Sequence, residues 1–375
     1  MRKKPEDQRQ FAAECVVMIR TGMGGSRREL STALGMSPST AGLYVDQLID
    51  AGYVAETGLD YGSMGRPKRR LEVRPEAGWY VGVEWNADRL NAVRLDFAGA
   101  LLQEVAVDMP PRVSKEEVLS EIEKAILAIT EGVKGRFLGI GLGSPGVVDP
   151  VEGTASDFSF ISDWQQVPLK KRFEDRFATP VAVGNNLRVI SMAERWFGGA
   201  AGMRDFVVVG PRSGFGVAIV ANGELLGGSS EAAGEVGNWF WGNSASGTEL
   251  HYALSAPSVW RRLTNAPPET PAPLDLRAGM EEIAAKQDGC WKGVAKEFAL
   301  VIGQLHLLLD TEAFFIHGPL CGLGKGFWEE VVHQSEVLMP RLITRSPNVH
   351  CSTLMDNAGA LGAASLAMKS WLPML

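Results

Sequence analysis

The stretch richest in chemistry is VAVGNNL at 181–187, where an apolar run ends at Gly184 and two carboxamides, Asn185 and Asn186, follow. A helical pattern from Leu187 to Trp196 comes next and stops at Phe197-Gly198-Gly199. A strand that turns into a helix presents the side chains at its C-terminal end to a crevice where ligands are commonly held. A carboxylate there could take a proton from a substrate hydroxyl; a carboxamide only donates and accepts hydrogen bonds. The pair therefore reads as a binding turn.

A second cluster is basic. Arg66, Lys68, Arg69 and Arg70 crowd the tip GLDYGSMGRPKRR. Such cations neutralise phosphates, and an Arg beside Gly65 and Pro67 suits the negative potential of a narrow A·T-rich minor groove. Alone, the run would equally describe a solvated loop. The four cysteines, Cys15, Cys290, Cys321 and Cys351, lie far apart with no CxxC. That pattern favours thiols in a reducing compartment over disulfides or a metal site.

The elements that must position these groups begin with a small unit at residues 1–75, which holds 12 basic and 9 acidic residues in a chain of net charge −7. Residues 8–22 have helical spacing, with Phe11, Cys15, Val16, Met18 and Ile19 apolar. Ser26 with Glu29 predicts a capping box, and Ser37 followed by Pro38 starts a further helix that runs to Ala51-Gly52. Val54 to Glu56 and Leu71 to Val73 read as a hairpin, so the basic tip becomes the wing of a winged helix-turn-helix and double-stranded DNA the expected partner. The expected DNA-facing residues are Ser37, Ser39, Thr40, Leu43 and Tyr44 on the second helix of the motif, with Arg66, Lys68, Arg69 and Arg70 on the wing. None of the helix residues can form a bidentate base contact, so sequence preference leans on the wing and on DNA shape.

From 76 onward the chain reads as an α/β body. Three strand-like runs (79–85, 90–96, 101–108) precede a helix near 114–131 and a strand, 137–143, that empties into Ser144-Pro145-Gly146. Further strands are expected at 205–209, 215–221 and 224–226, helices at 293–309 and 327–338, and a small-residue helix at 358–369. Residues 265–274 form a Pro-rich loop, and no internal repeat is apparent. No apolar run reaches the roughly 18–20 residues needed to span a bilayer, and no signal-peptide pattern develops. The expected location is the cytoplasm, without membrane association.

Six segments carry a family resemblance: GIGLGSPGVVDP at 139–150, VPLKKRFEDRFATPVAVGNN at 167–186, ERWFGGAAGMRDFVVV at 194–209, GGSSEAAGEVGN at 227–238, LLLDTEAFFIHGPL at 307–320 and DNAGALGAA at 356–364. In this order they resemble the ROK family (repressors, open reading frames and kinases). The resemblance implies a two-lobed, actin-like and ribonuclease-H-like body at 76–375, with lobes at about 76–185 plus the C-terminal helix and at 186–355. The unit at 1–75 resembles the DNA-binding head of the family's regulators, which its sugar kinases lack.

The kinase pattern is degenerate at each place it can be checked. The Asp-x-Gly-Gly-Thr-Lys hairpin of family kinases reads Glu84-Trp85-Asn86-Ala87-Asp88-Arg89, with an indole and no Gly. The later Gly-rich loop reads Pro211-Arg212-Ser213-Gly214-Phe215-Gly216. Asn186 replaces the catalytic Asp, a loss worth about 10²–10⁴-fold for a general base. The family's zinc ligands are missing at Asn238 and 242–248, so no metal, cofactor or catalytic residue is expected. Asn185 and Glu235 match sugar-contacting positions. Together with Asn186 and Asn238 they are the expected contacts for a sugar or sugar-phosphate effector. Phe158, Phe160 and Trp164 could stack on that sugar or close its cavity. The leading expectation is a non-enzymatic regulator, a repressor acting as a homo-oligomer (dimer or tetramer). A sugar kinase and a ligand-blind regulator or scaffold are the alternatives.

Overall fold

The computed structural model describes residues 5–60, 68–109, 114–158, 161, 163–241, 248–286, 289–339 and 345–375. Arg66, Phe160 and the segment 242–247 lie outside the described residues, as does the Lys68 side chain. The chain opens with α1 (Pro5–Arg20), α2 (Arg27–Ala33) and α3 (Pro38–Asp50), followed by the antiparallel hairpin β1 (Val54–Asp60) and β2 (Lys68–Val73). The caps are local chemistry: the Ser26 and Ser37 hydroxyls accept hydrogen bonds from the Glu29 and Thr40 backbone N–H groups at 3.3 and 3.1 Å. In α3 the buried stripe is Ala41, Tyr44, Val45 and Leu48. Tyr44 is therefore a core residue stacked on Phe11, with centroids 6.1 Å apart, and the expectation that it faces DNA is corrected.

The head shares one hydrophobic core with the body. Val16, Ile19, Leu48 and Tyr53 pack with Tyr80, Phe97, Ala364 and Trp371, and the Arg9 Nε donates to the Pro373 carbonyl at 2.9 Å. Arg20, at the end of α1, is buried over the faces of Phe97 and Trp196, 4.9 and 6.0 Å from their centroids. Its guanidinium lies beside the Tyr80 hydroxyl and near Asp96, with no ion pair among the described residues.

The first lobe contains β3 (Trp79–Trp85), β4 (Arg89–Asp96), β5 (Leu101–Asp108), α4 (Lys115–Thr130), β6 (Phe137–Ser144), the small hairpin β7 (Val147–Asp149) and β8 (Thr154–Ser156), α5 (Leu169–Phe177) and β9 (Val181–Asn185). Then α6 (Asn186–Phe197) leads to the second lobe: β10 (Phe206–Pro211), β11 (Phe215–Ala221), β12 (Glu224–Leu225), β13 (Phe240–Trp241), β14 (Thr248–Glu249), α7 (Leu250–Leu254), α8 (Ala256–Thr264), α9 (Leu276–Ala285), α10 (Lys292–Leu309), β15 (Ala313–Ile316), α11 (Gly324–Leu338) and β16 (Val349–Cys351).

The two main sheets run β5-β4-β3-β6-β9 and β12-β11-β10-β15-β16. In each, three antiparallel strands are followed by two parallel additions. The lobes thus repeat one topology that no sequence repeat announces. The last helix, α12 (Ala358–Ser370), returns to the first lobe and packs on β3, β6 and α6. Its approach is so close that a Cβ on Gly141 or Gly362 would lie 1.7 Å from a backbone oxygen, which explains the run of Gly and Ala there.

Candidate functional site

The crevice lies where β6 and β9 end side by side, with Ser144 opposite Asn185 in the parallel register. Asn185 is the N-cap of α6. Its Oδ1 accepts from the Leu187 and Arg188 N–H groups at 3.0 and 3.4 Å, and its Nδ2 donates to the Gly146 carbonyl at 2.9 Å. That carboxamide is largely spent on holding the turn. Asn186 is half-buried, and its Oδ1 accepts from the Leu187 N–H at 2.8 Å. Its amide nitrogen has no hydrogen bond among the described residues and remains a donor for a ligand.

Arg188 sits in the first turn of α6, where the helix dipole disfavours a cation unless it has partners. It has them: an ion pair with Glu231 and hydrogen bonds to the Gly227 and Glu231 carbonyls at 3.1 and 2.8 Å. Glu235 stands close by and is exposed. Burial raises its pKa, while His251 and Arg188 pull it down. The Nδ1 of His251 accepts from the Phe215 N–H at 2.9 Å, which leaves Nε2 as the protonated donor. Arg188, Glu235 and His251 thus share one neighbourhood, and Asn186 precedes Arg188 by two residues in the first turn of α6. Asn238 is exposed and donates weakly to the Glu235 carbonyl at 3.4 Å. Its side chain lines a shallow cavity of about 520 Å³ with Trp239, Phe240 and Gln304. Sequence reasoning missed Arg188 and His251; a cation in a helix's first turn was the available signal for the former.

Across the cleft, Arg212 projects from the end of β10 to Glu84 on β3. Nη1 to Oε1 is 2.7 Å and Nη2 to Oε2 is 3.3 Å, with the two side chains 14% and 1% exposed. Burial alone would lower the Arg212 pKa, but Glu84, Asp88 and Asp356 more than offset it and keep the guanidinium charged. Asp88 is raised by burial, with Arg212 opposing. Glu84 also lies over Gly359 at the start of α12, where a Cβ would come within 2.5 Å of Oε2. The β3–β4 turn is held by Asn86, whose Oδ1 accepts from the Asp88 and Arg89 N–H groups, both at 3.0 Å. Three carboxylates thus gather round the Arg212 guanidinium. Trp85, the indole in place of the kinases' glycines, is fully buried against Trp164, 6.1 Å between centroids. Phe158 joins the same first-lobe core.

On the head, Ser39 and Leu43 are exposed, Leu43 by 56%, and Thr40 is half-buried. Ser37 is exposed, and its hydroxyl lies 2.9 and 2.8 Å from those of Ser39 and Thr40. Arg69 pairs with Glu56 at 2.7 Å, and Arg70 with Glu72 at 3.2 Å. Glu56 is held below the usual carboxylate range by Arg69 and then Arg27. Both hairpin cations are exposed and pair at the surface, where such contacts are weak and exchangeable.

The ROK family model matches residues 80–370. The xylose repressor of Caldicellulosiruptor bescii is 30% identical over 57% of this chain and 54% of its own length. The Thermotoga maritima glucokinase is 26% identical over 76% of this chain and 96% of its own. The chain spans about half the length of the curated repressors it matches. Among solved structures, a ROK family transcriptional regulator described as a homologue of the E. coli MLC protein superposes with a TM-score of 0.80 at 19% identity, covering 96% of both chains. A ROK family glucokinase from Streptomyces griseus gives 0.66 at 24% identity over 78% of this chain and all of that one. The fold is therefore the two-lobed one of sugar-kinase-like proteins, and the chain belongs to the ROK family.

Proposed function

We propose that this protein is a DNA-binding transcriptional regulator, a repressor, whose sugar-kinase-like body senses a sugar or sugar phosphate and does not phosphorylate it. The observation that carries the reading is the head. It has three helices, the second and third capped by Ser26 and Ser37, the third with Ser39 and Leu43 exposed, and a basic hairpin beside them, and its apolar residues join the core of the body. Residues 1–75 act as a winged helix-turn-helix, with Ser37, Ser39, Thr40, Leu43, Arg66, Lys68, Arg69 and Arg70 facing the duplex. Two such heads on a symmetric oligomer bind a palindrome. Similarity to proteins named xylose repressors supports the same reading.

In the body, Asn186, Glu235 and His251 make the effector contacts, with Asn185 shaping the turn and Asn238 at the rim. The absence of a carboxylate at Asn186 and the Arg212–Glu84 pair argue against phosphoryl transfer. The protein is expected to work in the cytoplasm; among the described residues no helix is long and apolar enough to cross a membrane. The test is fluorescence anisotropy on A·T-rich duplexes at low salt, with and without D-xylose and D-glucose, beside a coupled ATP assay. DNA binding without sugar phosphorylation supports the proposal; the opposite pattern supports the kinase reading, which the glucokinase similarity keeps as the alternative.

A further inference from the structure

Cys321 and Cys351 are 30 residues apart in sequence and meet at one place in the second lobe. In the parallel pairing of β15 with β16, Ile316 is the partner of Cys351. The chain then passes through His317 and Gly318 into a short 3-10 turn, Pro319–Leu323, which brings Cys321 back over the strand end. There its sulfur lies 3.4 Å from the Ile316 carbonyl oxygen, within reach of its S–H. Cys351, the strand partner of Ile316, is the neighbouring thiol, and the Cys321 S–H can turn from the carbonyl to the Cys351 sulfur. Both are half-buried, so a small oxidant can reach them while bulk solvent is held off.

The surroundings distinguish the two thiols. The hydrogen bond from Cys321 makes Cys351 the more acidic, against the effect of burial, and the Arg277 cation helps. The same bond and burial raise Cys321, which keeps its proton. A thiolate beside a thiol is the arrangement of an attacking and a resolving cysteine. Neither other cysteine shares it. Cys15 is fully buried, and burial pushes its pKa to about 12; Cys290 is exposed, two residues before α10.

We propose that Cys321 and Cys351 form a modification site, a dithiol that hydrogen peroxide converts reversibly to an intrachain disulfide. The Cys351 thiolate attacks one peroxide oxygen and the O–O bond breaks. The sulfur becomes a sulfenic acid, and the departing hydroxide takes up a proton to leave as water. The Cys321 sulfur then attacks the Cys351 sulfur and the S–O bond breaks. The S–S bond forms, and the thiol proton leaves with the hydroxyl as a second water. The two cysteines lose two electrons in all and the peroxide gains them; a thiol reductant reverses the change. The cross-link would tie the 3-10 turn, which packs on α9 just beyond His317, to the edge strand β16.

The test uses the reduced full-length protein, treated with hydrogen peroxide, alkylated and digested without reductant for mass spectrometry. The expected product is a linked Cys321–Cys351 peptide pair, lighter by two hydrogens and restored by dithiothreitol. In Cys351→Ser, Cys321 should remain alkylatable. In Cys321→Ser, dimedone should trap a sulfenic acid on Cys351, which keeps the order of attack testable if the first variant does not fold. The proposal is overturned if both thiols stay alkylatable at doses that oxidise Cys290, or if either is carried to sulfinic acid without a cross-link.

Discussion

Replacing Arg212 with Met would leave the Glu84 carboxylate, 1% exposed, without its cation. At separations near 3 Å and an effective dielectric of about 20, the attraction in the pair is about 5 kcal/mol before desolvation is subtracted. Removing one partner of a buried pair typically costs about 3–5 kcal/mol, because the other charge stays buried. Glu84→Leu should cost a similar amount by stranding Arg212 against β10. Replacing both at once removes both charges, so Glu84→Leu/Arg212→Met should return to within about 1–2 kcal/mol of the parent. The double-mutant cycle then yields a coupling of several kcal/mol, far above the roughly 0.3–0.5 kcal/mol scatter of independent sites. Urea titration followed by tryptophan fluorescence and by circular dichroism measures it, coincidence of the two signals checking for a single transition. High ionic strength should change the coupling little, since the pair is shielded from solvent. Single variants costing under about 1 kcal/mol, with additive effects in the double, would refute a buried link between the lobes.

Three other outcomes follow from the same geometry. His317 is buried, and burial with the nearby Arg212 cation lowers its pKa from 6.5 to about 3 against a backbone contact at Met355. The unfolded chain therefore binds the extra proton between those values, and stability should fall by up to about 1.4 kcal/mol per unit as pH drops through that window; His317→Gln should flatten this slope in acid urea titrations. Arg20→Met keeps the packing on Phe97 and Trp196 while removing a buried charge, so its thermal midpoint should match or exceed the parent's, whereas Arg20→Ala opens a cavity and should cost about 2–4 kcal/mol. Asn186→Asp should leave ATP-dependent sugar phosphorylation at background in a coupled assay; clear turnover would mean that the Glu84–Arg212 pair does not block the phosphates.

The parts of this structure written in local chemistry were legible in the sequence. Ser26 and Ser37 cap their helices as expected, and the turn at Gly184 delivers Asn185 and Asn186 to the crevice. Tyr44 was misassigned although Ala41, Val45 and Leu48 mark the buried stripe to which it belongs. The burial of Trp85 was not legible because β3 is buried on both faces, so its apolar run says nothing about which face a side chain takes. The Arg212–Glu84 pair joins residues 128 apart, and neither local spacing nor periodicity encodes such a contact. The matching topology of the two lobes was hidden for a related reason. It is a repeat of strand order, carried by different side chains in each sheet.

The central claim, a sugar-responsive DNA-binding protein, is tested most directly by selecting chromosomal fragments that the purified protein retains at low salt, with and without candidate sugars. The account predicts a small set of discrete fragments with a shared palindrome, whose retention changes when one sugar or sugar phosphate is added. Retention of no fragment above background, or binding without any sequence in common, would contradict it.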